Sequence, residues 1–138
     1  MNRTMRLVIN VLAVGIAVGM FGDQVLIAQQ PAVTRTILQQ KDLEGVAGRE
    51  VIMYRADVGR AGIAGRHYHP GPELFYVLEG SLTLELEGQP PVTVKAGGSS
   101  HIPAGHIHNV RNASNVEPAK VIIFMVGEKG QPLTTPVP

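Results

Sequence analysis

Neither cysteine nor tryptophan occurs in the 138 residues. Without thiols the chain can form no disulfide, zinc ribbon, iron–sulfur cluster or thiol nucleophile. Aromatic residues are scarce, with three Tyr and three Phe, too few for a platform that stacks bases or sugars. The 12 Lys and Arg barely outnumber the 11 Asp and Glu, so the surplus of cations that a nucleic-acid partner demands is missing. No Ser-His-Asp order, phosphate-cradling loop or dinucleotide fingerprint is present. The Gly97-Gly98 pair lacks the spacing and the following helix that such loops need. Glycine and proline are plentiful, at 16 and 10, which points to many turns and few long helices. The length suits one domain with one core. All five histidines fall between His67 and His108.

The first 28 residues differ in kind from the rest. Arg3 and Arg6 precede an uncharged run from Leu7 to Phe21, and Gly22, Asp23 and then Gln24-Val-Leu-Ile-Ala28 follow. A basic start, a short apolar stretch and a small residue at its end describe a secretory signal peptide. The run is shorter than the roughly 20 residues that span a bilayer. The alternative is an uncleaved anchor over residues 7–28, which would be the chain's only tie to a membrane. Arg3 and Arg6 are not adjacent and no Cys follows, so neither a twin-arginine signal nor lipoprotein acylation is indicated. The expected location is periplasmic or secreted. Removing residues 1–28 takes away two cations and one acid, leaving 10 of each in residues 29–138. That domain carries no charge preference for any partner.

Residues 29–138 read as short strands. Leu82, Leu84 and Leu86 alternate with Ser81, Thr83, Glu85 and Glu87, and Val92 and Val94 repeat the pattern. Ile52, Tyr54, Ala56 and Val58 share one face of the segment from Glu50 to Val58. This period of two marks half-buried strands. Leu74 to Leu78 and Val121 to Val126 are continuous apolar runs, expected to be covered on both sides. Val33 to Leu38 is a weaker strand, able to add to the sheet edge of a second copy. Gln39 to Val46 is the one candidate for a short helix. Residues 129–138 read as an extended, loosely held tail. Turn residues between the runs set strand spacings that predict an all-β sandwich or barrel.

The histidines sit in an informative pattern. His67 and His69 are two apart and so project from one face of a strand, while Pro70-Gly71-Pro72 turns the chain so that Glu73 opens the next strand. His108 follows a Pro103-Ala-Gly105 turn. His67-x-His69-x3-Glu73-x6-Gly80 and Gly97-x5-Pro103-x-Gly105-x2-His108-x3-Asn112 resemble the two motifs of the cupin superfamily. Four residues separate Gly62 from His67, where the family has five, and Gly98 stands where the family often has Asp. The motifs span residues 62–112, and the strand pattern extends the likeness to about 33–126.

The resemblance implies a single cupin-type jelly-roll β-barrel. It also implies one divalent transition metal held by His67, His69, Glu73 and His108. Three imidazoles and a carboxylate suit Fe, Mn, Ni, Cu or Zn and leave positions open for a ligand. Further, it implies either a metal-dependent enzyme of the dioxygenase, decarboxylase or isomerase kind, acting on a small oxygenated molecule, or a non-catalytic protein that binds or senses a ligand or metal. Small cupins of this kind also imply a homodimer. Phe75 and Val110 share strand parity with Glu73 and His108 and are candidates for a substrate pocket, as is His106 at its mouth. His101 has no assigned role.

Overall fold

The computed structural model describes residues 32–138. The expected signal or anchor segment, residues 1–28, lies outside them. Ten strands and no helix make up the described residues. They are β1 (Val33–Asp42), β2 (Arg49–Val58), β3 (His67–Tyr68), β4 (Glu73–Glu79), β5 (Ser81–Leu86), β6 (Val92–Lys95), β7 (Ser99–Ile102), β8 (His108–Asn112), β9 (Ala119–Glu128) and β10 (Thr135–Pro136).

Two five-stranded sheets result, in the orders β1-β2-β9-β4-β7 and β10-β3-β8-β5-β6, with every pairing antiparallel. Strands β3 to β8 change sheet at most steps, the signature of a jelly roll. The core lies between the sheets, because the period of two gives each strand one apolar face. Ile52, Tyr54, Ala56 and Val58 of β2 meet Val121, Ile123 and Met125 of β9, Phe75 and Val77 of β4, and Leu82 and Leu84 of β5. The alternations seen in β2 and β5 therefore mark the inward face.

Three expectations need correction. Residues 39–42 do not enter a helix. Past a bulge between Ile37 and Gln39, β1 keeps pairing with β2 as far as Asp42 opposite Glu50, and a turn over Leu43–Gly48 follows. Strand pairing gives those residues more hydrogen bonds than an isolated turn of helix could. The apolar runs in β4 and β9 are not covered on both sides, since Leu74, Tyr76 and Leu78 are 56%, 48% and 42% exposed and Phe124 is 42% exposed. With only two layers, a strand has one covered face. The tail is not loosely held. β10 pairs with β3, Leu133 packs on the core, and the Val137 N–H donates to the Arg66 carbonyl. Pro136 is tolerated because β10 is an edge strand.

The turn between His69 and Glu73 is fixed by a close approach. A Cβ on Gly71 would lie 1.6 Å from the Val126 carbonyl oxygen, so only glycine lets the turn lie against β9. The Val126 N–H donates to the Pro72 carbonyl at 3.2 Å and completes the contact. Asn112, the last residue of the second motif, is a structural pin. Its buried amide donates to the Gly59 and Glu117 carbonyls at 3.0 and 2.7 Å, and its Oδ1 accepts from the Ser114 N–H.

Gly71→Ala is expected to cost about 3 kcal/mol and to lower the melting temperature by about 10 °C or more. Gly88→Ala, at a left-handed φ of 78° in open space, should cost only about 1–2 kcal/mol. Thermal unfolding followed by circular dichroism compares them, and equal losses would refute the close approach.

Candidate metal centre

Three buried imidazoles converge between the sheets. His67 of β3 lies directly opposite His108 of β8 in the strand register, and His69 follows one turn of pleat later on the same face. The ring centroids are 4.3 Å apart for His67 and His108, 4.9 Å for His67 and His69, and 5.0 Å for His69 and His108. One ring nitrogen from each lies within 4.8 Å of the others, and the three could hold a metal ion.

The proton position on each ring is set by the backbone. His67 Nδ1 donates to the Gly65 carbonyl at 2.7 Å, His69 Nδ1 to the Leu133 carbonyl at 2.6 Å and His108 Nδ1 to the His106 carbonyl at 2.9 Å. A carbonyl oxygen only accepts, so each Nδ1 carries the hydrogen and each Nε2 keeps a lone pair. Burial drives the imidazoles toward the neutral form. It lowers the pKa of His67 and His69 from the usual value and takes His108 down to about 4. Neutral imidazoles with Nδ1 anchored are the form in which histidine binds metals.

Glu73 reaches this group through His69, with Oε2 3.0 Å from Nε2. The His69 proton is on Nδ1, so two lone-pair-bearing atoms face each other across a gap that either a proton on Glu73 or a cation can bridge. Two ligand atoms each about 2.1 Å from one ion, at about a right angle, stand about 3.0 Å apart. The three imidazoles are the residues that lie within metal-ligand reach of one another, and Glu73 joins them through His69 alone. In the absence of a cation, burial pushes the Glu73 carboxyl up to about 7.

Two contacts escaped the sequence reading. Tyr54 of β2 is buried and donates its hydroxyl to Glu73 Oε2 at 2.9 Å. Burial, and the Glu73 charge beside it, raise its pKa well beyond the usual range. Its place on the inner face of β2 was legible, but its partner lies 19 residues away on another strand. The second is the Leu133 carbonyl, supplied by a tail that carries no signal for such a role.

The imidazoles and Glu73 form the polar end of a cavity whose remaining wall includes Ala56, Phe75, Val110, Val121 and Ile123. Space for water centres amounts to about 40 Å³, or about three molecules at 10–15 Å³ each, so a ligand there is small. Phe75 and Val110 line it. His106 is not among the lining residues. Its side chain is exposed in the turn where its N–H donates to the Pro103 carbonyl, and only its carbonyl serves the site. His101 is exposed on β7 opposite Leu74, on the outer face of the sheet.

Residues 55–126 match a family model described as Cupin domain. The fold is similar to that of the DMSP lyase DddQ from Ruegeria pomeroyi DSS-3, at 20% identity and a TM-score of 0.63 over 77% of this chain and 52% of that one. It is also similar to an oxalate oxidase in complex with the substrate analogue glycolate, at 21% identity and a TM-score of 0.60 over 80% of this chain and 63% of that one. KdgF from Halomonas sp. is similar at 20% identity and a TM-score of 0.57 over 72% of this chain and 84% of that one. The chain thus spans about half the length of the lyase and under two thirds of the oxidase. At these identities the likeness is one of fold. No curated protein sequence matches the chain.

Tyr54→Phe keeps the ring in the core but frees Glu73 from its donor. Metal affinity measured by competitive titration is expected to fall about 10- to 100-fold, with the strand spectrum unchanged. Unaltered affinity would show that the hydroxyl does not position Glu73.

Proposed function

Because the chain belongs to the cupin family, we propose that it holds one divalent transition metal through His67, His69, His108 and Glu73 and acts on a small oxygenated molecule bound in the adjoining cavity. One observation supports this above others. Three Nδ1–H groups are committed to carbonyls, so three Nε2 lone pairs converge with no donor among them. Neutral imidazoles held in this orientation are ready ligands for a cation.

A bound ion would supply Lewis acidity, or electron transfer if it is redox-active. The protein's own groups do the rest. The anchored imidazoles hold the donors in place, Tyr54 orients the carboxylate, and the apolar wall excludes water from around the ligand. The neighbours named above include a lyase and an oxidase, and one fold hosts many reactions. The reaction type proposed for this chain is of the dioxygenase, decarboxylase or isomerase kind. One observation favours a non-catalytic binding role instead. Apart from the candidate ligands, the only titratable or charged residues lining the cavity are Tyr54 and Arg35, and Tyr54 is committed to Glu73. A catalytic site usually adds a free acid or base.

Protein from its native compartment should contain close to one divalent metal per chain by elemental analysis. His69→Ala and His108→Ala should abolish this and His101→Ala should not. The loaded protein, given a panel of catechols, flavonols, β-diketones and small acids, should show oxygen uptake, decarboxylation or isomerisation with at least one. A wild type that takes up none of Mn, Fe, Ni, Cu or Zn sinks the ligand set. Full occupancy with no turnover moves the reading to binding.

We also propose export with cleavage after Ala28 and a homodimer formed through β1, an edge strand whose Ile37 and Leu38 are 46% and 40% exposed. Mass spectrometry should find a chain starting at Gln29, and light scattering should give twice the monomer mass. An intact amino terminus or a monomer would refute the respective proposal.

A further inference from the structure

Arg35 belongs to neither histidine motif. It pairs across β1 and β2 with Ala56, and Ala56 is buried on the cavity side of β2. Paired residues share a face, and Arg35 accordingly lines the cavity with His67, His69, His108 and Glu73. Among the lining residues it is the one permanent cation. Since the residue is otherwise exposed, it stands where the cavity meets solvent. Arg49, Arg55, Arg66 and Arg111 each hold a carboxylate, but no carboxylate of the described residues lies within ion-pair distance of Arg35.

We propose that Arg35 anchors a carboxylate, so that the cavity takes a small organic acid of the 2-hydroxy or 2-oxo class, its carboxylate on the guanidinium and its remaining part towards the imidazole cluster. This rests in part on the metal-centred reading above.

Charge supports the assignment. Neutral imidazoles, an ionised Glu73, a divalent ion and Arg35 sum to about +2, and an anion balances that excess. Shape supports it too. The guanidinium presents a planar fork that pairs with both oxygens of a carboxylate, and room for about three waters restricts the acid to a few carbon atoms.

Glycolate and its uncharged amide, glycolamide, separate this anchor from general affinity for the cavity. Each is titrated calorimetrically into the full chain, metal-free and Mn-loaded, as wild type, Arg35→Gln and Arg35→Lys. Mn alone is titrated in parallel. Wild type should prefer glycolate. Arg35→Gln should weaken glycolate about 10- to 100-fold without weakening glycolamide or Mn, and Arg35→Lys should recover part of the loss. Equal glycolate affinity in wild type and Arg35→Gln, or no preference over the amide, overturns the anchor. Mn binding without Arg35-dependent glycolate binding overturns the anchor and spares the metal centre. Arg35-dependent glycolate binding by a protein that takes up none of Mn, Fe, Ni, Cu or Zn supports the anchor and overturns the metal centre.

Discussion

Each of three buried imidazoles holds its single ring proton against a backbone carbonyl, and the rest of the site depends on that constraint. With Nδ1 committed, the Nε2 lone pairs of His67, His69 and His108 point into one space. The carbonyls come from three separate places: Gly65 before β3, His106 in the turn before β8, and Leu133 in the carboxy-terminal tail. All three segments must be docked before the rings converge and His69 is oriented. The Gly105 N–H, donating to the His69 carbonyl at 2.9 Å, ties the two histidine segments together. The Pro70-Gly71-Pro72 turn, held against β9, brings Glu73 back beside His69. The centre is thus a property of the closed barrel, since His67 and His108 find their carbonyls two residues away but His69 needs the tail, and no single segment carries all three rings.

The cavity divides its chemistry by sheet. Its imidazole end comes from β3, β8 and the residue after β3. The residues that act on Glu73 and on the mouth, Tyr54 and Arg35, come from β2 and β1 in the other sheet. The wall between is apolar. A low-polarity wall strengthens every charge interaction at the two ends, so small differences in ligand charge become large differences in affinity. A cation at the mouth and a candidate cation at the base would define a ligand with two oxygen functions a short distance apart.

Much of the fold could be read from local pattern. The alternation from Ile52 to Val58 and from Leu82 to Leu86 places the inward faces of β2 and β5 correctly, and the turn residues place most boundaries. Where reading failed, a longer-range contact had overridden a local signal. The run from Leu74 to Leu78 is apolar at each position, which local pattern takes as burial on both faces, yet its outward side chains meet only neighbours such as Phe124 across the β4–β9 pair. The stretch after Gln39 has no strong alternation of its own and is extended because β2 offers it partners. The proline-rich tail looked loose because its use lies in its backbone.

The sequence by itself determined the spacing of His67, His69, Glu73 and His108, the glycine that the Gly71 turn requires, and the absence of any sulfur donor. These follow from residue type and from the period of a strand, both of which are local. Only the tertiary structure decided that His67 and His108 stand opposite each other, that Tyr54 meets Glu73, that Arg35 reaches the cavity and that the Leu133 carbonyl orients His69. Such contacts depend on the register between strands far apart in the chain, which the burial of all inward faces together selects. A backbone carbonyl is the same at every residue, so its role leaves no mark in the sequence.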